Sequence, residues 1–163
     1  TLTQATGEDV AVIRAMPNTP ALVGLGASAI AGGPGTTEDD LAWAESMLGA
    51  VGIVERLAES QLDLFTGLAG SGPAYVFLVA EALVDAAVGN GMTRPIAERV
   101  VGQVLLGAST LLARDGDAGR LRANVTSPGG TTAAGLARLE ERALRAALAD
   151  AVTAATERSR ELG

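Results

Sequence analysis

The sequence predicts a mainly α-helical protein in which a self-associating helical domain follows the tail of an α/β sheet domain. Three observations lead there. Apolar periodicity changes near residue 60, from short strand-like runs to sustained helical spacing. Aromatic residues make up only 2% of the 163 residues, so the core is built from Leu, Val, Ile and Ala, which suit closely packed helices. The later helices are also apolar on most of their circumference, more than one small bundle can bury.

Before residue 60, "VAVIRAMPNTP", "GASAIAGG" and "GIVERL" read as strands separated by Gly and Pro turns. Between the last two lies "TTEDDLAWAESMLGAVG". Thr37 predicts an N-cap, Glu38 to Asp40 occupy the first turn, and Gly49 or Gly52 ends the helix. Leu41, Ala44, Met47 and Leu48 share a face. The order strand, strand, helix, strand assigns residues 1–59 to the end of an α/β domain.

Residues 60–163 form the helical domain. A helix begins near Ser60 and weakens at Gly67 and Gly70. The next is capped by Ser71, tolerates Pro73 in its first turn and closes at Gly89 to Gly91. Val76, Val79, Ala80, Leu83 and Ala87 make its expected inward stripe. A third follows Thr93 and Pro95, with Ile96, Val100, Val104, Ala108 and Leu111 inward, and ends near Asp115 to Asp117. A short turn covers Arg120 to Asn124. Leu136, Leu139, Ala143, Ala147, Ala151 and Ala155 carry a last stripe, broken near Glu141. A second copy of the chain would cover the surplus apolar surface; a loosely packed monomer exposing it is the alternative.

Composition narrows the chemistry. The chain has no Cys, His or Lys, which removes disulfides, thiolate nucleophiles, imidazole bases, Schiff-base lysines and the usual zinc sites. No metal site is expected. Net charge is −7, with 12 basic and 19 acidic residues, the opposite of a nucleic-acid-binding field. The longest uncharged stretch, Ala15 to Thr37, holds three Pro and several Gly, so it does not read as a membrane helix. A soluble, cytoplasmic protein is expected. A first residue of Thr rather than Met suggests a fragment.

Three segments could hold a ligand. In "RAMPNTPALVG", Pro17 and Pro20 stiffen a turn after a strand, holding out Asn18 and Thr19; it is a ligand turn at a sheet edge or a plain link. "GSGP", Gly70 to Pro73, sets a helix N-terminus against a neighbour, either as a binding edge or as a close helix crossing. In "NVTSPGGTTAAGLARLE", Pro128 restricts the chain while Gly129 and Gly130 permit close approach of a ligand. Backbone N–H groups there, with Ser127, Thr131 and Thr132, form a cradle for one carboxylate or else a Gly-rich connector. "GLGASA", Gly24 to Ala29, imitates the dinucleotide fingerprint G-x-G-x-x-A. No helix can follow it, so it is a decoy.

Taken in order, "RAMPNTPALVG", "FTGLAGSGPAYVFLVAEAL", "AERVVGQVLLGA" and "LRANVTSPGGTTAAGLARLE" resemble the pyrroline-5-carboxylate reductases. The resemblance covers nearly the whole chain from Val12, and "MPNTP" and "VTSPGGTT" are specific. It implies reduction of 1-pyrroline-5-carboxylate to L-proline by hydride from NADPH or NADH, the last step of proline biosynthesis. It implies a Rossmann-like domain, of which residues 1–59 are the C-terminal remnant, and a helical domain that forms a homodimer, with decamers beyond. It places the substrate, an imine or proline-like molecule, on Asn124, Val125, Ser127, Gly129, Gly130, Thr131 and Thr132, with the Thr132 hydroxyl at the ring nitrogen as the catalytic group. Asp115 lies near. Met16, Pro17 and Asn18, with Gly70, Ser71, Gly72 and Pro73, border the nicotinamide. The family's N-terminal G-x-G-x-x-G/A is missing, so the chain alone is expected to bind nucleotide poorly and turn over little. No nucleic-acid or membrane partner is expected. The competing reading is a non-catalytic helical dimerisation module.

Overall fold

The computed structural model describes residues 10–163; the first nine residues of the 1–59 assignment lie outside the described residues. Strand β1 (Ile13–Met16) runs antiparallel to β2 (Gly26–Gly32), with Met16 opposite Ala29. β2 runs parallel to β3 (Gly52–Arg56), with Gly26 opposite Gly52. Parallel neighbours need a crossover, and helix α1 (Glu38–Gly49) supplies it. β2 is the central strand. Its Ser28, Ala29, Ile30 and Ala31 are buried, and a strand buried on both faces reads as an unbroken run of small and apolar residues.

Gly24 sits at φ +73 and closes a 3-10 turn over Thr19–Val23, after which the chain enters β2. A strand, not a helix, therefore follows the G-x-G-x-x-A pattern, as expected for a decoy. The start of α1 also follows its sequence signal. Thr37 Oγ1 accepts the Asp40 N–H at 3.2 Å and Asp40 Oδ2 accepts the Thr37 N–H at 2.9 Å, a capping box. Ala44 is buried on the inner face, but Met47 is 54% exposed beside Trp43. Met47 therefore does not belong to the inward stripe.

After β3, helix α2 (Leu62–Phe65) passes into a π turn over Thr66–Gly70. Leu62 is buried against Ala29 and Ala31, with Leu57 and Phe65 packed alongside. Helix α3 (Gly72–Gly89) follows; Gly91 at φ +99 turns the chain into α4 (Arg94–Asp115). Then come α5 (Ala118–Asn124), α6 (Thr131–Glu141) and α7 (Leu144–Leu162). The break between α6 and α7 is at Ala143, the one positive-φ non-glycine among the described residues. The C-terminal part of α7 meets the π turn. A Cβ on Gly67 would fall 2.8 Å from the Val152 carbonyl and 2.9 Å from Thr156 N, and Ser159 Oγ donates to Asp63 Oδ1 at 2.7 Å.

The chain divides into two compact units, one running through Ala74 and including Ala149–Gly163, the other Tyr75–Leu148. Within the second unit the buried apolar residues are Val84, Ala97 and Val101, with Ala80, Ala87, Val88 and Leu105 packed against them. Of the stripes expected from periodicity, Ala80 and Ala87 of α3 meet this core, while the larger residues face elsewhere. Val76, Val79 and Leu83 of α3, and Ile96, Val100, Val104 and Leu111 of α4, are all exposed. On helices apolar nearly all round, spacing cannot select the face that meets the neighbouring helix. By length and composition alone, Glu59–Gly89 and Arg94–Asp115 each contain a stretch apolar enough to cross a membrane.

Candidate functional site

The proposed substrate loop is a turn set against a helix start. Pro128 and Gly129 are its central residues, Gly129 lies at φ +69, and the Gly130 N–H donates to the Ser127 carbonyl at 3.0 Å. Pro followed by a left-handed Gly is the signature of a type II turn. Gly130 is then the N-cap of α6, with no side chain capping it. A Cβ on Gly130 would collide with Ser127, whose carbonyl lies 3.1 Å from that position. Gly130 is thus a glycine because the turn is tight, and its amide closes the turn instead of facing a ligand.

The neighbouring amides are different. The first helical bond into this end is from the Ala134 N–H to the Gly130 carbonyl at 3.1 Å. Among the described residues, no carbonyl or side chain takes the N–H groups of Gly129, Thr131 or Thr132. Thr131 and Thr132 are orphan donors of a helix N-terminus, backed by the positive end of its dipole, and Gly129 sits in the turn just before it. No charged residue falls between Asn124 and Thr132. Val125 stands 66% exposed, while Thr126 Oγ1 is turned back to the Arg122 carbonyl at 2.6 Å.

Exposed ion pairs join the helices that flank the loop. Asp117 caps α5 by accepting the Arg120 N–H at 2.9 Å. Arg120 pairs with Asp115, so Asp115 braces the α4–α5 corner. Glu140 of α6 takes Arg145 Nε at 2.8 Å and faces Arg122 of α5 at 3.8 Å. Every candidate substrate residue lies within the Tyr75–Leu148 unit.

The candidate cofactor residues lie in the other unit, where one side chain joins their two segments. Asn18 Nδ2 donates to the Ala69 carbonyl at 3.0 Å, and Asn18 Oδ1 accepts the Ala27 N–H at 2.9 Å. Met16, Pro17 and Asn18 are thereby tied to the turn that leads into Gly70, Ser71, Gly72 and Pro73. Nothing lies within 4 Å of a Cβ built on Gly72, so a flat ring can approach the main chain there. These are the residues expected to border the nicotinamide of a dinucleotide. Among the described residues no fingerprint for its pyrophosphate is present, because Gly24 to Ala29 run into a strand.

Comparison with known proteins identifies the family. The family profile described as "Pyrroline-5-carboxylate reductase dimerisation" matches residues 59–162. The chain is 50% identical over 151 residues to pyrroline-5-carboxylate reductase of Arabidopsis thaliana, covering 92% of this chain and 55% of that protein. It thus spans about half the length of such relatives. Among solved structures, a pyrroline-5-carboxylate reductase from Coxiella burnetii superposes with TM-score 0.95 at 39% identity, over 99% of this chain and 61% of that one. The Plasmodium falciparum pyrroline carboxylate reductase with NADP bound gives 0.91 at 34% identity, over 99% and 66%.

Proposed function

The chain belongs to the pyrroline-5-carboxylate reductase dimerisation family, and from that premise we propose that it provides the substrate loop and dimer surface of an NADPH- or NADH-dependent enzyme that reduces 1-pyrroline-5-carboxylate to L-proline. The observation that carries the reading is the row of uncommitted amides at Gly129, Thr131 and Thr132 on the N-terminus of α6.

The substrate carboxylate lies on those amides, where helix dipole and N–H groups favour an anion. Ser127 and Thr131 hydroxyls, with Asn124 and Val125, line the pocket; Gly130 shapes the turn. The Thr132 hydroxyl holds the ring nitrogen. Met16 to Asn18 and Gly70 to Pro73 would border the nicotinamide of NADPH or NADH, which would supply the hydride. As hydride adds to the ring carbon of the protonated imine, the C=N π electrons become the nitrogen lone pair and the nitrogen keeps its proton. Such an electrophile needs no metal and no strong base, so positioning and an electrostatic clamp suffice.

The division into residues 1–59 and 60–163 follows the change of periodicity and the span of the family match. A homodimer buries the exposed faces of α3 and α4, which also accounts for their membrane-like hydropathy. Decameric assembly and a cytoplasmic location are supported by the resemblance. Lacking a pyrophosphate fingerprint among its described residues, the chain alone turns over little imine.

A thermal-shift titration with millimolar proline tests the reading. The melting temperature should rise, and the rise should vanish in the Ser127→Ala/Thr132→Ala double variant. An unresponsive wild type would favour a non-catalytic dimerisation module.

A further inference from the structure

Asn18 makes two hydrogen bonds, and the second has a specific cause in the sequence. In an α-helix the Ala69 carbonyl would accept from the residue four positions on. That residue is Pro73, which has no N–H. The π turn does not repair the loss. Its closing bond runs from the Ser71 N–H to the Thr66 carbonyl at 2.9 Å, and the Ala74 N–H goes to the Ser71 carbonyl at 3.0 Å. Neither the α position, Pro73, nor the π position, Ala74, donates to the Ala69 carbonyl, and a part-buried carbonyl needs a partner. Asn18 Nδ2 supplies it at 3.0 Å from 51 positions away, while Asn18 Oδ1 is anchored by the Ala27 N–H at the start of β2. On the opposite side the π turn is wedged against Val152 and Thr156, with no room for a Cβ on Gly67.

We propose that Asn18 is a positioning residue that replaces the donor removed by Pro73, locking the π turn to β2 and so setting the Gly70–Pro73 main chain to which the nicotinamide is applied. This rests on the cofactor edge assigned above, but its structural part can be read without any ligand. π turns of this kind occur often at functional sites, where a backbone distortion has to be held from outside the helix.

Amide hydrogen exchange on the chain tests it with four variants. Asn18→Ala should speed exchange at Ser71 and Ala74 about tenfold, the scale of one lost hydrogen bond in a local opening. Asn18→Asp, which keeps the acceptor and loses the donor, should do the same while leaving Ala27 protected; it also stands in should Asn18→Ala fold poorly. Pro73→Ala restores an N–H four residues after Ala69, so in the Asn18→Ala background it should recover most of the protection. Reduced nicotinamide mononucleotide at millimolar concentration is the probe for position. It should slow exchange at Gly72 in the wild type and the Asn18→Ala/Pro73→Ala chain but not in Asn18→Ala. Failure of Pro73→Ala to rescue, or unchanged exchange at Ser71 and Ala74, overturns the brace. Equal protection of Gly72 with and without Asn18 overturns the positioning role. Protection in neither overturns the cofactor edge itself, with the brace still decided by the exchange pattern.

Discussion

Two glycines in this chain are glycines for opposite reasons. Gly129 needs a left-handed backbone with open space around it, whereas Gly67 needs the absence of a side chain under α7. Gly67→Ala forces a methyl into the Val152–Thr156 turn and should cost about 1–3 kcal/mol, as overpacking does, read as a lower denaturation midpoint. The capping box of α1 predicts a pH effect. Hydrogen bonds from the Thr37 hydroxyl and then its backbone hold the Asp40 carboxyl below its ordinary value. Its folded-state pKa is therefore lower than the unfolded one. The stabilisation is complete above the ordinary carboxylate range and is lost as pH falls through the folded value. Melting curves across acidic pH should show this slope shrink in Thr37→Ala, which also loses about 1 kcal/mol of capping. Residue-level signals of this type were legible in the sequence, since Thr-x-x-Asp and Pro-Gly are local. The Asn18 bond was not, because it joins residues 51 apart.

At the scale of elements, punctuation was legible and orientation was not. Gly49, Gly91, Gly116 and the proline turns mark where helices and strands end, and the structure ends them there. Of the expected faces of α3 and α4 only Ala80 and Ala87 meet the core, because Val, Leu and Ala surround both helices and several spacings fit equally well. Burial instead follows Ala97, Val101 and Leu105. Val104 and Leu106 are 57% and 58% exposed, which makes α4 the place to test self-association. Val104→Glu should leave the monomer within about 0.5 kcal/mol of wild type, as exposed sites do. It should shift the chain from dimer to monomer in sedimentation. An unaffected dimer would remove α4 from the interface.

Across the whole molecule, the last helix complicates the division seen in the sequence. Ala149–Gly163 packs with the strand-bearing unit through Thr156 at Gly67 and Ser159 at Asp63. A chain cut after Leu148 should accordingly lose protease resistance around the π turn and β2 while α4 stays intact, as limited proteolysis would show. The same architecture puts the amides proposed to hold the substrate carboxylate on a helix start that no side chain caps, which is the centre of the functional reading. The most direct test is an amide NMR titration with L-proline and with pyrrolidine, the same ring without its carboxylate. Saturable shifts at Gly129, Thr131 and Thr132 with proline, absent with pyrrolidine, are the predicted result. Amides that stay still, or that respond equally to both rings, would contradict it.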